Sequence, residues 1–221
     1  MALIASGTVP TQLLEVDNSF KAAHVVQRPL EHGSGGHYRV ARNVPLVVTQ
    51  AANGSLFSFR WGSSTHLAII QYIRLSCLQT AAATATIFPR FEVFVARTFT
   101  ASDTAGTALT LTTNSFKKRT SHATTAVTDM RHSALAAGLT AGTRTLDADP
   151  QLVLQTQQTI TTPNTVLFTV SQDMTDGVDH PIVLAQNEGL IVRGPTTVFG
   201  AAGTADLLVE LAWVETQIAN Y

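Results

Sequence analysis

The chain has 221 residues, of which only 13% are charged, and a formal net charge of −1. That length suits one large β domain or two small ones with a real core, and the near-neutral balance gives no overall case for binding nucleic acid. A single cysteine, Cys77, excludes an intramolecular disulfide and a cysteine-based zinc site.

The opening MALIASGTVP lacks a basic n-region and is too short in apolar residues for a signal peptide. No window reaches the ~18 apolar residues of a transmembrane helix, so no membrane partner is expected and synthesis in a cytoplasm is. Residues 1–36 follow neither the helical nor the strand period. Leu13, Leu14, Val16, Phe20, Val25 and Val26 are apolar and lie between Pro10 and Pro29, and His32-Gly-Ser-Gly-Gly36 reads as a flexible hinge. We read 1–36 as an extended arm. It either lies over the domain's own core as an irregular first strand or carries those six apolar residues to a neighbouring subunit.

From His37 the period becomes two, and residues 37–221 read as a single β-sandwich domain. Tyr38, Val40, Val44, Leu46 and Val48 share one face, with Arg39, Asn43 and Thr49 on the other. Pro45 cannot donate to a ladder, which predicts an edge strand or a bulge. Asn53-Gly54 marks a turn into Leu56–Trp61, where Phe57, Phe59 and Trp61 alternate with Ser58 and Arg60. His66–Leu78 reads as a strand around a buried, inert Cys77, with a short helix at its start as the alternative. Ile87–Thr100 is apolar on both faces, as a central strand would be. Ala108–Leu111 is a candidate short strand, and Lys117-Lys118-Arg119 sits in a polar loop. That run is either a solvated loop or a contact with nucleic acid or an acidic partner. Val127–Ala137 reads as a helical or irregular excursion, and Thr143–Leu146, Gln151–Ile160 and Val166–Val170 as further strands. Ile182–Ala185 and Leu190–Val192 flank Asn187-Glu188-Gly189 as a buried hairpin whose Gly is free to take positive φ, and Leu207–Trp213 closes the chain. Eight to ten strands separated by turns, with minor helices, predict an all-β, antiparallel β-sandwich, jelly-roll-like, with the N-terminal arm attached.

Little points to chemistry. The histidines at 24, 32, 37, 66, 122, 132 and 180 show no HxH or HExxH spacing and read as surface residues. Asp173, Asp176 and Asp179 recur every third residue beside Gly177 as a candidate calcium site, although the spacing is not that of an EF-hand. Ser34 lacks the setting of a nucleophile elbow. Phe57, Phe59, Trp61, Phe91, Phe94 and Trp213 are candidates for a sugar or base platform, but their period-two placement favours the core. No catalytic residue, cofactor, metal or small-molecule substrate is expected.

Several stretches are familiar together. Phe57-Ser-Phe-Arg-Trp61, Phe94-Val-Ala-Arg-Thr-Phe-Thr100 with Gly106-Thr-Ala-Leu-Thr-Leu111, Thr143-Arg-Thr-Leu-Asp147 and the segment 181–192 occur in order. Across residues 37–215 they resemble structural proteins of tailed bacteriophages. The resemblance carries no catalytic residues. It implies a virion component assembled in the host cytoplasm: a capsid decoration or cement protein that binds the major capsid protein and copies of itself, without specific nucleic acid. A tail or baseplate protein and a carbohydrate-binding receptor-recognition module are the alternatives. Deleting residues 1–30 should weaken assembly, read by light scattering, and leave the β signature of the circular dichroism spectrum. Loss of that signature would contradict the arm reading.

Overall fold

The computed structural model describes residues 36–48, 50–155, 157, 165–173 (backbone only), 181–194 and 203–218. The chain divides at residues 30 and 31, and the description covers the second unit alone. The six apolar arm residues, Leu13, Leu14, Val16, Phe20, Val25 and Val26, lie outside the described residues.

Among the described residues, twelve strands build two antiparallel sheets. The first has the order β1 (Gly36–Leu46), β12 (Thr204–Gln217) and β3 (His66–Ala81). Both β9 (Thr165–Asp173) and β10 (Val183–Leu184) pair along the far side of β3. The second has the order β5 (Thr107–Ala108), β6 (Val127–His132), β2 (Ser55–Trp61), β11 (Glu188–Arg193) and β4 (Arg90–Arg97). Here β7 (Thr145–Leu146) and β8 (Leu152–Gln155) share the outer side of β4. The pairing is nested: β1 with β12, β2 with β11, β3 with β9 and β10, β4 with β8 and β7.

The alternation read in the sequence places the core between the sheets. Tyr38, Val40, Val44 and Leu46 of β1 point inward with Phe57, Phe59 and Trp61 of β2, Leu75 and Cys77 of β3, and Leu207, Val209, Leu211 and Trp213 of β12. Trp213 organises the centre, stacked on Tyr38 at 5.5 Å between ring centroids and met edge-on by Phe59 at 5.2 Å. Each fully buried large apolar side chain contributes about 1.5–3 kcal/mol. Pro45 is on an edge strand, as its missing N–H requires, while Val48 lies beyond the strand end and is exposed.

The outer face of the second sheet is also covered. Loops 98–106 and 140–149 lie on it, and Phe99 packs with Ala96, Ile191 and Leu146 in a small second cluster. Arg60 holds the first loop, donating from Nε to Phe99 O (2.7 Å) and from Nη2 to Thr100 O (2.6 Å). This double burial is why β4 is apolar on both faces.

Two expectations are corrected. The segment 182–192 is not a hairpin, because β10 joins the first sheet and β11 the second. The link between them is a corner crossing the sandwich. Asn187 takes the left-handed conformation there (φ 62°), and its N–H donates to Trp61 O at 2.9 Å. Gly189 serves close approach instead, since a Cβ there would meet Phe59 O at 2.1 Å and the Phe99 ring at 2.8 Å. The expected helical excursion at Val127–Ala137 is also wrong for its first half, which is β6. Val127 and Met130 are buried there, and β6 is held by ladders to both β2 and β5. The described residues hold no α-helix.

Gly189→Ala should lower stability by about 1–3 kcal/mol, the usual cost of overpacking. Urea denaturation followed by tryptophan fluorescence measures it, and an unchanged midpoint would contradict the close approach.

Candidate functional site

One end of the sandwich is closed by a strap, residues 114–126, that leaves the second sheet after β5 and runs against β1. It begins in a single 3-10 turn, Asn114–Phe116, whose Phe116 ring is buried in the core. Lys118 N–H donates to His37 O at 3.0 Å, Lys117 bridges to Tyr38, and His37 N–H donates to His122 Nδ1 at 3.1 Å. The Tyr38 hydroxyl donates to Ala123 O at 2.9 Å. The strap thereby occupies the first residues of an edge that would otherwise present bare ladder groups.

The strap ends on Glu215, which is only 2% exposed. Its carboxylate accepts from the Thr125 hydroxyl, from Ala126 N–H at 3.0 Å and from Trp213 Nε1–H at 3.1 Å. Burial pushes this carboxyl above the ordinary glutamate value, although all three donors pull the other way. Burial, and then the neighbouring Glu215, raise the Tyr38 phenol as well. A satisfied buried carboxylate of this kind fixes a loop; it faces no open site.

A second buried pair clips the loops over the other sheet. Arg144 Nε lies 2.9 Å from Asp103 Oδ1, Arg144 Nη2 donates to Ser55 Oγ at 2.9 Å, and Gly142 N–H donates to Asp103 Oδ1 at 2.9 Å. The Arg144 guanidinium stands 5.5 Å over the Phe99 ring. On the same face Glu92 is buried and held by Arg193 at 2.5 Å and Arg90 at 2.7 Å. Arg97 bonds both carboxylate oxygens of Asp147 and reaches Glu188 at 2.5 Å in an exposed network, where such pairs contribute little.

The residues singled out in the sequence are scattered. Cys77 is fully buried and its thiol is pushed up to about 12, by burial first and Asp206 second, which keeps it inert. His37 is 1% exposed, contrary to the expectation of a surface residue, because the strap covers it. His24, His32, His180, Asp176 and Asp179 lie outside the described residues, and Asp173 ends β9. Phe57, Phe59, Trp61, Phe91 and Trp213 are in the core, and Phe94 is buried under the Arg193 guanidinium at 4.4 Å, so these rings form no open platform. Among the described residues no three His, Cys, Asp or Glu side chains gather as a metal site.

An open feature among the described residues is a cleft of roughly 360 Å³ where the strap meets β1. Its lining includes Arg39 and Arg42 of β1, Ser115 and Phe116 of the strap, Tyr72 of β3 and Glu210 of β12. The Arg42 guanidinium sits 5.7 Å from the centre of the Phe116 ring. The basic run 117–119 lies within the strap, directly after Phe116. Sequence reasoning singled out that run but not Arg39 and Arg42, because their convergence depends on the bridge between Lys117 and Tyr38.

No family model matches the chain, and no curated protein or solved structure matches it.

A carboxyl whose folded value is raised binds its proton more tightly in the folded chain than in the unfolded one. Its contribution is complete below the ordinary glutamate value, about 4.3, and is lost as pH rises through the folded value. Wild-type stability should therefore fall over the units above that value, and Glu215→Gln should flatten the fall. Urea unfolding at a series of pH values checks this; superimposable profiles would contradict it.

Proposed function

We propose that this chain is a non-enzymatic structural protein of a tailed-bacteriophage particle, a jelly-roll sandwich that decorates and cements the major capsid lattice. The observation that carries the reading is the nested strand order, first with last and inward from there. Rolling one long antiparallel hairpin into two facing sheets produces that order, and jelly rolls of this construction recur among viral capsid domains. Lectins and cupins use the same construction, so fold alone does not choose.

Two further observations favour the particle. The phage-like stretches Phe57–Trp61 and Phe94–Thr100 form β2 and the end of β4 with its following loop, and most of their large side chains are buried. The six rings that were candidates for a sugar platform, Phe57, Phe59, Trp61, Phe91, Phe94 and Trp213, are buried as well. A protein that binds only the assembled lattice stabilises it by mass action, by about 2.7 kcal/mol per site at a hundredfold excess over Kd. Closed symmetric contacts between copies would extend that clamp across the shell.

Particles made without this chain should release their DNA at a lower temperature than complete ones, and electron microscopy of complete particles should show it at regular positions over the head. Equal heat resistance would remove the cement role. Density confined to the tail would move the protein to the tail or baseplate.

A further inference from the structure

We infer that the cleft beside β1 receives an acidic, carboxylate-bearing segment of a partner protein. The inference starts from an inventory of positive charge. The described residues include twelve Lys and Arg. Arg74, Arg90, Arg97, Arg131, Arg144 and Arg193 are each paired with a carboxylate. Arg60 is spent on backbone and hydroxyl oxygens of the 99–102 loop.

The remaining five are Arg39, Arg42, Lys117, Lys118 and Arg119, and none has a carboxylate partner among the described residues. Two of them line the cleft, and the other three follow its Phe116 in the strap. Arg39 and Arg42 line the cleft, and the bridge from Lys117 to Tyr38 with the bond from Lys118 N–H to His37 O sets the basic run beside it. The acid in the lining, Glu210, is already held by Arg74 at 3.3 Å. In a chain with so few charges, leaving five cations unmatched on one surface costs self-repulsion that an opposite partner relieves.

The shape selects the kind of anion. The cleft has room for one or two side chains, and Tyr72 with the edge of the largely buried Phe116 borders the guanidinium groups. That combination suits carboxylates alternating with apolar residues on an extended segment, with Arg39 free for bidentate contact. A nucleic acid backbone asks instead for a run of cations along an open track, and the net charge of −1 adds no background attraction.

The inference deepens the structural role proposed above and rests on it only for where the partner is found. Purified full-length chain is titrated with a dye-labelled peptide of alternating Glu and Phe, with a Gln and Phe peptide as the uncharged control. The expected result is saturable, salt-sensitive binding of the acidic peptide alone. It should weaken about tenfold or more in the combined variant Arg39→Gln, Lys118→Gln, Arg119→Gln. These side chains are exposed, so the variant should melt with the wild type, which separates lost binding from lost folding.

No saturable binding by the wild type, or equal binding by the variant, overturns the inference. So does tighter, variant-sensitive binding of a single-stranded oligonucleotide, which would give the surface to nucleic acid. Any of these leaves the particle reading standing, whereas absence of the chain from particles would remove that reading and leave the cleft.

Discussion

The structure depends on where the last strand goes. β12 lies in the interior of its sheet, with β1 along one side over the whole of Gly36–Leu46 and β3 along the other from His66 to Ala81. Its inward residues Leu207, Val209, Leu211 and Trp213 meet the second sheet, and Trp213 touches both Tyr38 and Phe59. Until this strand is in place β1 and β3 are not joined, and the core between the sheets lacks Leu207, Val209, Leu211 and Trp213. The nested pairing follows from that constraint. Each inner pair is closed by the pair outside it, so most contacts join residues far apart in sequence and form only against the loop entropy between them.

The buried charges have a common task. Glu215 ties the strap to the core's end, Asp103 and Arg144 tie the two covering loops together, and Glu92 with Arg193 joins β4 to β11 as direct cross-strand partners. Each consumes a carboxylate or a cation that would otherwise stand on the surface. Among the described residues, the cations left without a carboxylate are Arg39 and Arg42 at the cleft and the run 117–119 of the strap. Under the structural role proposed above, pairing the other charges internally favours contact with neighbours, because each buried unpaired charge would count against association.

Much of this was legible in the sequence. The period-two faces of β1 and β2 were correct. On β1 one face is buried and the other is not, and on β2 the large rings Phe57, Phe59 and Trp61 face the core while Ser58 and Arg60 lie on the other face. β4 was also readable, since burial on both faces leaves a continuous apolar run. The hairpin failed for an instructive reason. Asn187-Glu188-Gly189 is good turn chemistry, but turn chemistry does not say whether the strands it joins share a sheet. That depended on Gly189 packing against Phe59 O across the ladder, a long-range fact. β6 was missed because Val127-Thr-Asp-Met-Arg-His132 shows little alternation and becomes a strand only through its neighbours. For the same reason the cleft was half visible: the basic run at 117–119 is local, while Arg39 and Arg42 reach it through the strap's bonds to β1.

Native-state hydrogen exchange on the full chain tests the central claim most directly. If β12 completes one nested sandwich, amides of β1, β12, β3, β2 and β11 should share the highest protection and exchange together at the global unfolding free energy. If β12 exchanges early while the second sheet stays protected, the last strand is an accessory and the account is wrong.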